Sequence, residues 1–197
     1  KVENDRKTIL FESLPGCSDE AKDVSPFLMR FDPAYKMQAS LLRRCNRWPM
    51  VSLIATPETL TALSERLVAW CVVEADGQRF NFRFADTRRL PAIYQTLNSN
   101  QRAQFAGPAV GWSYVARDGN WRELELDRSI AEVASDPTLY QEQFARLVDD
   151  SQADEILTLL RDQGHDVLRH PSQSYALVIM ALRVAAAAQL GGRELGP

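Results

Sequence analysis

The sequence predicts an α+β fold: a mixed sheet with flanking helices in an N-terminal α/β lobe over residues 1–130, then a smaller all-helical lobe over 131–197. Three observations carry that expectation. Asp76-Gly77 and Asp118-Gly119 each sit between short apolar-alternating segments, as hairpin turns do when they need positive φ. Residues 50–75 read as a strand, a capped helix and a further strand, the size of a β-α-β unit. From Asp136 onward the apolar spacing changes to a helical period and stays there.

Taken in order, Ile9-Leu10-Phe11 is a short apolar patch that ends at the turn residues Leu14-Pro15-Gly16. Residues 17–25 are polar and read as a loop, and Pro26 to Phe31 fits a strand closed by Asp32-Pro33. Tyr35 to Trp48 places Tyr35, Met37, Leu41, Leu42 and Cys45 at roughly helical spacing, with arginines opposite. Met50 to Ala55 is a continuous apolar run, which suggests a strand buried on both faces. Thr56-Pro57-Glu58 opens a helix, with Thr56 as cap, Pro57 in the first position and Glu58 against the dipole. Leu60, Leu63 and Leu67 form its apolar stripe.

The hairpin at Asp76-Gly77 makes the register explicit. Ala75 faces Gln78, Glu74 faces Arg79, Val73 faces Phe80 and Cys71 faces Phe82. Phe80, Phe82 and Phe84 then share one face and point to the core, where each is worth about 1.5–3 kcal/mol if fully buried. Arg79, Asn81 and Arg83 point the other way. At Asp86-Thr87-Arg88-Arg89 strand gives way to helix, with Asp86 as cap and Arg83 beside it. Pro91 lies too deep for an ordinary helix started at Asp86, so the helix opens with a loose turn or starts near Leu90. Asn98 to Gln101 has capping-box spacing, and Gly107-Pro108 stops that helix. Val110 to Ala116 and Trp121 to Leu126 form the second hairpin. Asp136-Pro137 reads as a cap and first-position pair; apolar periodicity runs to Gly164, and an apolar helix over 173–190 follows a connection at His165 to Ser172.

Composition narrows the function classes. The 197 residues are 45% apolar and 25% charged with a net charge of −3, an ordinary globular balance with no global positive field for nucleic acid. Basic residues bunch only locally, at Arg43, Arg44 and Arg47 and at Arg79, Arg83, Arg88 and Arg89. Cys17, Cys45 and Cys71 are odd in number and far apart, which fits reduced thiols in a cytoplasmic protein better than disulfides or zinc. The N-terminal residues show no signal-peptide pattern. Tyr175 to Leu190 is short of the roughly 20 residues a spanning helix needs and carries Arg183, so an integral membrane protein is not expected.

The usual catalytic signatures are missing. There is no nucleophile elbow, no phosphate-binding glycine loop and no dinucleotide fingerprint. His165 and His170 are five apart, the wrong spacing for one helical face, and no cofactor or metal is expected. Ser18-Asp19-Glu20 lacks a nearby base, and Asp149-Asp150 with Asp154-Glu155 reads as a solvated helix surface.

The ordered set Gly77, Phe82, Arg83, Phe84, Asp86, Arg88, Leu90, Leu97, Gln101, Phe105, Gly107, Pro108 and Trp112 resembles the effector adaptor (chaperone) family of bacterial type VI secretion. Ser25-Pro26-Phe27-Leu28 and residues 48–67 match more weakly, so the resemblance spans residues 9–126. Two positions depart from it: Thr87 stands where the family usually has proline, and only Lys1-Val2-Glu3 could remain of a longer first strand. The resemblance implies a non-catalytic cytoplasmic protein that binds a cognate effector and helps load it on the secretion spike. It carries over Arg83 and Asp86, either touching a partner or bracing the fold; with the neighbouring Arg88 and Arg89 they are the partner-binding candidates. An enzyme with dispersed catalytic residues and an immunity protein that blocks a toxin are the rival expectations.

Overall fold

Tight local turns decide which strands meet. A computed structural model describes residues 7–32, 34–127 and 137–193. In chain order the strands are β1 (Lys7–Ile9), β2 (Phe27–Met29), β3 (Ser52–Ala55), β4 (Val72–Ala75), β5 (Gln78–Asn81), β6 (Gly111–Val115) and β7 (Trp121–Glu123). The helices are α1 (Asp19–Asp23), α2 (Lys36–Arg44), α3 (Leu60–Ala69), α4 (Leu90–Thr96), α5 (Ser99–Ala106), α6 (Gln141–Asp162) and α7 (Pro171–Arg193). The fold is α+β. The chain divides into two compact units, Lys1–Phe144 and Ala145–Pro197. The expected lobe boundary at 130/131 lies outside the described residues.

The expected mixed sheet is divided into three antiparallel sheets, β1-β2, β3-β6-β7 and β4-β5. Asp76 (φ 51°) and Gly77 (φ 71°) close β4 onto β5 with the register read from sequence, Val73 opposite Phe80 and Glu74 opposite Arg79. That two-residue closure costs little entropy, so β4 pairs with its chain neighbour and not with β3. The segment 50–75 therefore crosses between two sheets and is not a parallel β-α-β unit. β3 pairs with β6 alone, so this edge strand is half-buried and not covered on both faces.

Other local expectations shift by a few residues. The polar stretch 17–25 contains α1, capped by the Ser18 hydroxyl, which accepts from the Ala21 N–H. The cap of α3 is Thr59, not Thr56, and accepts from the Ala62 N–H. Thr56 instead turns the chain so that the Glu58 carboxylate meets Arg66. Pro137 does not open a helix, because its carbonyl accepts from the Glu74 N–H and Thr138 forms a parallel bridge to Glu74. Asp136 lies outside the described residues. The helix there starts at Gln141.

The core of the first unit centres on Phe105, which is fully buried. Its ring stacks on Trp112 (5.1 Å) and meets Trp70 (5.4 Å) and Phe84 (5.3 Å) edge-on. Phe82 joins through Trp70 at 5.8 Å, while Phe80 is half-buried against Phe144 at 4.4 Å. The capping box of α5 forms as expected: Asn98 Oδ1 accepts from the Gln101 N–H, and Gln101 Oε1 accepts from the Asn98 N–H. Gln101 also donates to the Thr138 carbonyl, and Gln143 donates to Gln101 Oε1 and to the Thr96 carbonyl. These two buried amides tie the first turn of α6 to α4 and α5.

Candidate partner-binding site

The Asp86 cluster grows directly from the hairpin. β5 ends at Asn81, but side chains keep alternating, so Phe82 and Phe84 enter the core and Arg83 points outward with 57% of its side chain exposed. The chain then turns through residues 84–89. The Asp86 carbonyl accepts from the N–H groups of Arg89 and Leu90, and α4 begins at Leu90 with Pro91 in its second position. Of the two starts left open by the sequence, this is the one near Leu90. Asp86 is therefore not the cap of α4.

Its carboxylate is gripped instead by Arg88. Asp86 Oδ1 accepts from the Arg88 N–H (3.2 Å) and Nε (2.8 Å), and Oδ2 accepts from Arg88 Nη2 (2.6 Å). Arg83 Nη2 adds a longer bond at 3.3 Å. The Asp86 side chain is only 13% exposed. Burial works against its ionisation, but the hydrogen bonds and charge of Arg88, helped by Arg83, hold the carboxyl below the usual carboxylate range. Arg83, Asp86 and Arg88 are thus brought together; Arg89 joins the same turn through its backbone N–H.

Thr87 is buried and its hydroxyl donates to the Val115 carbonyl at 2.6 Å, tying the turn to β6. A proline at this position could not make that bond. The cluster can present fixed positive charge to an anionic group. Ser18 is engaged in capping α1, while His165 and His170 are exposed beside α6 and α7. Among the described residues no group of three or more His, Cys, Asp or Glu could hold a metal ion. Asp149, Asp150 and Glu155 lie exposed on α6, and Glu155 accepts from the Ser151 hydroxyl.

The second unit offers a different surface. α7 carries Leu177, Met180 and Val184 on one stripe at i, i+3 and i+7, each between 60% and 66% exposed. Between residues 171 and 188 its only charge is Arg183. Among the described residues no helix is long and apolar enough to cross a membrane.

Residues 2–104 match the family described as a domain of unknown function, DUF4123. The chain belongs to that family. The matched span covers the Asp86 cluster and most of α5; β6, β7 and α7 lie beyond it. Neither a curated protein nor a solved structure matches the chain.

A second surface escaped the reading of the sequence. The helical spacing expected over 35–48 forms α2 over Lys36–Arg44 only, and while Arg43 lies opposite Leu41 as expected, Arg44 shares the outer side with Met37 and Leu41. The signal that could have found it is the charge of the region, since residues 33–57 contain four cations and no Asp or Glu.

Proposed function

We propose that this chain is a non-catalytic adaptor-chaperone that binds a cognate type VI secretion effector in the bacterial cytoplasm and helps load it onto the secretion spike. The observation that carries this reading is the open apolar stripe of α7. A helix this poor in charge normally buries such residues in its own core. Here Leu177, Met180 and Val184 remain exposed, as expected of a surface that shields a partner's apolar segment. Membership of the family and the ordered motif around Asp86 support the same reading.

Within this proposal Asp86 and Arg88 brace the turn before α4, and Arg83 is the member of the cluster available to a partner. The test is co-expression with candidate type VI effector and spike proteins of the source bacterium. A stable complex with either, lost in Leu177→Glu/Val184→Glu while the melting temperature is kept, is the expected result. Failure of the wild-type chain to bind both would overturn the proposal and return the enzyme and immunity readings to first place.

A further inference from the structure

The helix α2 buries a glutamine and leaves part of its apolar side open. Its most buried residue is Gln38, whose Nε2 donates to the Arg30 carbonyl (2.9 Å) and whose Oε1 accepts from the Asp32 N–H (2.7 Å). This amide clamp holds the helix against the chain leaving β2. Ala39, Leu42 and Cys45 lie half-buried on the same side. The outer side carries Met37 and Leu41, one turn apart and 42% and 38% exposed, with Tyr35 at 38% just before the helix. An amphipathic helix of a monomer normally keeps glutamine outside and all its large apolar residues inside, whereas here Leu42 faces in but Met37 and Leu41 do not.

Charge borders this side: Arg44 shares it, and Lys36 and Arg43 lie on the neighbouring flank. Lys36, Arg43 and Arg44 are exposed on α2, and Arg47 follows in the turn after it. No ion pair among the described residues engages any of the four. Trp48 and Met50, 63% and 64% exposed, extend the apolar surface past the last cations. The chain as a whole has a net charge of −3, so this concentration of positive charge is local.

We propose that the outer face of α2 is a docking surface for an acidic, amphipathic helix of the partner protein. The proposal rests on the adaptor reading and names a contact separate from α7. Met37 and Leu41 at i and i+4 form the ridge that a second helix packs against. Arg44 lies beside that ridge, and Arg43 and Arg47 cluster with it at the C-terminal end of the helix, where carboxylates flanking the partner's apolar stripe are neutralised. A strand is the poorer occupant, because a helix has no free backbone edge to extend. An anionic membrane is the competing occupant, since Trp48 and Met50 stand well exposed beside the cations, and the vesicle arm of the test decides against it.

The experiment uses the full chain and candidate type VI effector and spike proteins of the source bacterium. A photo-crosslinking amino acid at Met37, with Asn81 on β5 as the control position, maps the contact, and Arg43→Glu/Arg44→Glu tests the charge. The expected result is a crosslink from position 37 to an acidic helical segment. With it come an affinity loss of about tenfold or more in the double variant at unchanged melting temperature, and recovery when the partner's carboxylates are changed to lysine. An unchanged affinity with no crosslink at 37, or a crosslink to a segment without acidic residues, overturns the proposal and leaves the adaptor reading standing. Absence of any complex with the wild-type chain defeats both. Arginine-dependent flotation on phosphatidylglycerol vesicles, with protein affinity intact, overturns it in favour of a membrane.

Discussion

The surroundings of Phe105 and the outer stripe of α7 use large apolar side chains in opposite ways. In the first unit Phe105 is closed in by Trp70, Phe84 and Trp112 at 5.1–5.4 Å, and Leu67, Leu90, Leu97 and Val115 are buried as well. In the second unit Leu147 and Ala153 are buried on α6, yet Leu159, Leu168, Leu177, Met180 and Val184 are all at least 60% exposed. Burial on that scale gives the first unit its stability. The open stripe of the second contributes little to folding. Density of packing, and not composition, separates the part that holds the fold from the part proposed to bind.

The widest test of that contrast is Phe105→Ala, which leaves a cavity among three aromatic rings. It is expected to cost about 3–5 kcal/mol in urea denaturation, whereas Leu177→Ala stays within about 0.5 kcal/mol. Equal effects at the two positions would erase the distinction.

Next comes the Glu58–Arg66 pair, half-hidden between α3 and the end of α5. Arg66 binds both Glu58 oxygens and the Phe105 carbonyl, and a Cβ on Gly107 would fall on its guanidinium. Arg66→Met is expected to cost about 3 kcal/mol, since it strands a poorly solvated carboxylate. A loss below about 1 kcal/mol would show that the first unit does not depend on this link.

Asp86 lies lower on the scale. Asp86→Asn is expected to cost about 1–3 kcal/mol by weakening the Arg88 fork. The same group sets an acid response. Burial opposes the ionisation of Glu58 and Asp86, but Arg66 and Arg88 outweigh it, so both carboxyls titrate below their unfolded values. Asp118 is held at about 2, mainly by its hydrogen bond from Arg122. Groups with depressed folded-state values stabilise the protein above the unfolded pKa of about 4 and lose that contribution as pH falls through the folded-state value. Unfolding free energy should therefore fall below about pH 4, and less steeply in Asp86→Asn. An identical slope in the two proteins would remove Asp86 from the acid response.

The smallest change in stability is expected for Arg83→Ala, within about 0.5 kcal/mol, because the guanidinium is more than half exposed and its bond to Asp86 is the longest of the cluster. Partner binding should fall in this variant while the melting temperature holds. A large drop in melting temperature would place Arg83 with the braces of the first unit.

What the sequence determined by itself was everything encoded by neighbours in the chain. Asp76-Gly77 demands positive φ and so specifies the β4-β5 register; Asn98 and Gln101 build the capping box of α5; alternation sends Phe82 and Phe84 inward. The Asp86 neighbourhood was legible for the same reason, since Arg83, Asp86 and Arg88 meet within one turn.

Tertiary structure alone decided the rest. Which sheet β3 joins depends on β6, some sixty residues away in sequence, and the role of Glu58 depends on Arg66 arriving from the far side of α3. Thr87 finds the Val115 carbonyl across 28 residues, and Gln101 finds Gln143 across 42. The orientation of α2 is the clearest case: periodicity showed a helix, but only the Gln38 clamp turned its leucine and methionine outward. Local spacing specifies which residues share a face; which face is buried depends on the free energy of contacts that the chain makes only once it has folded.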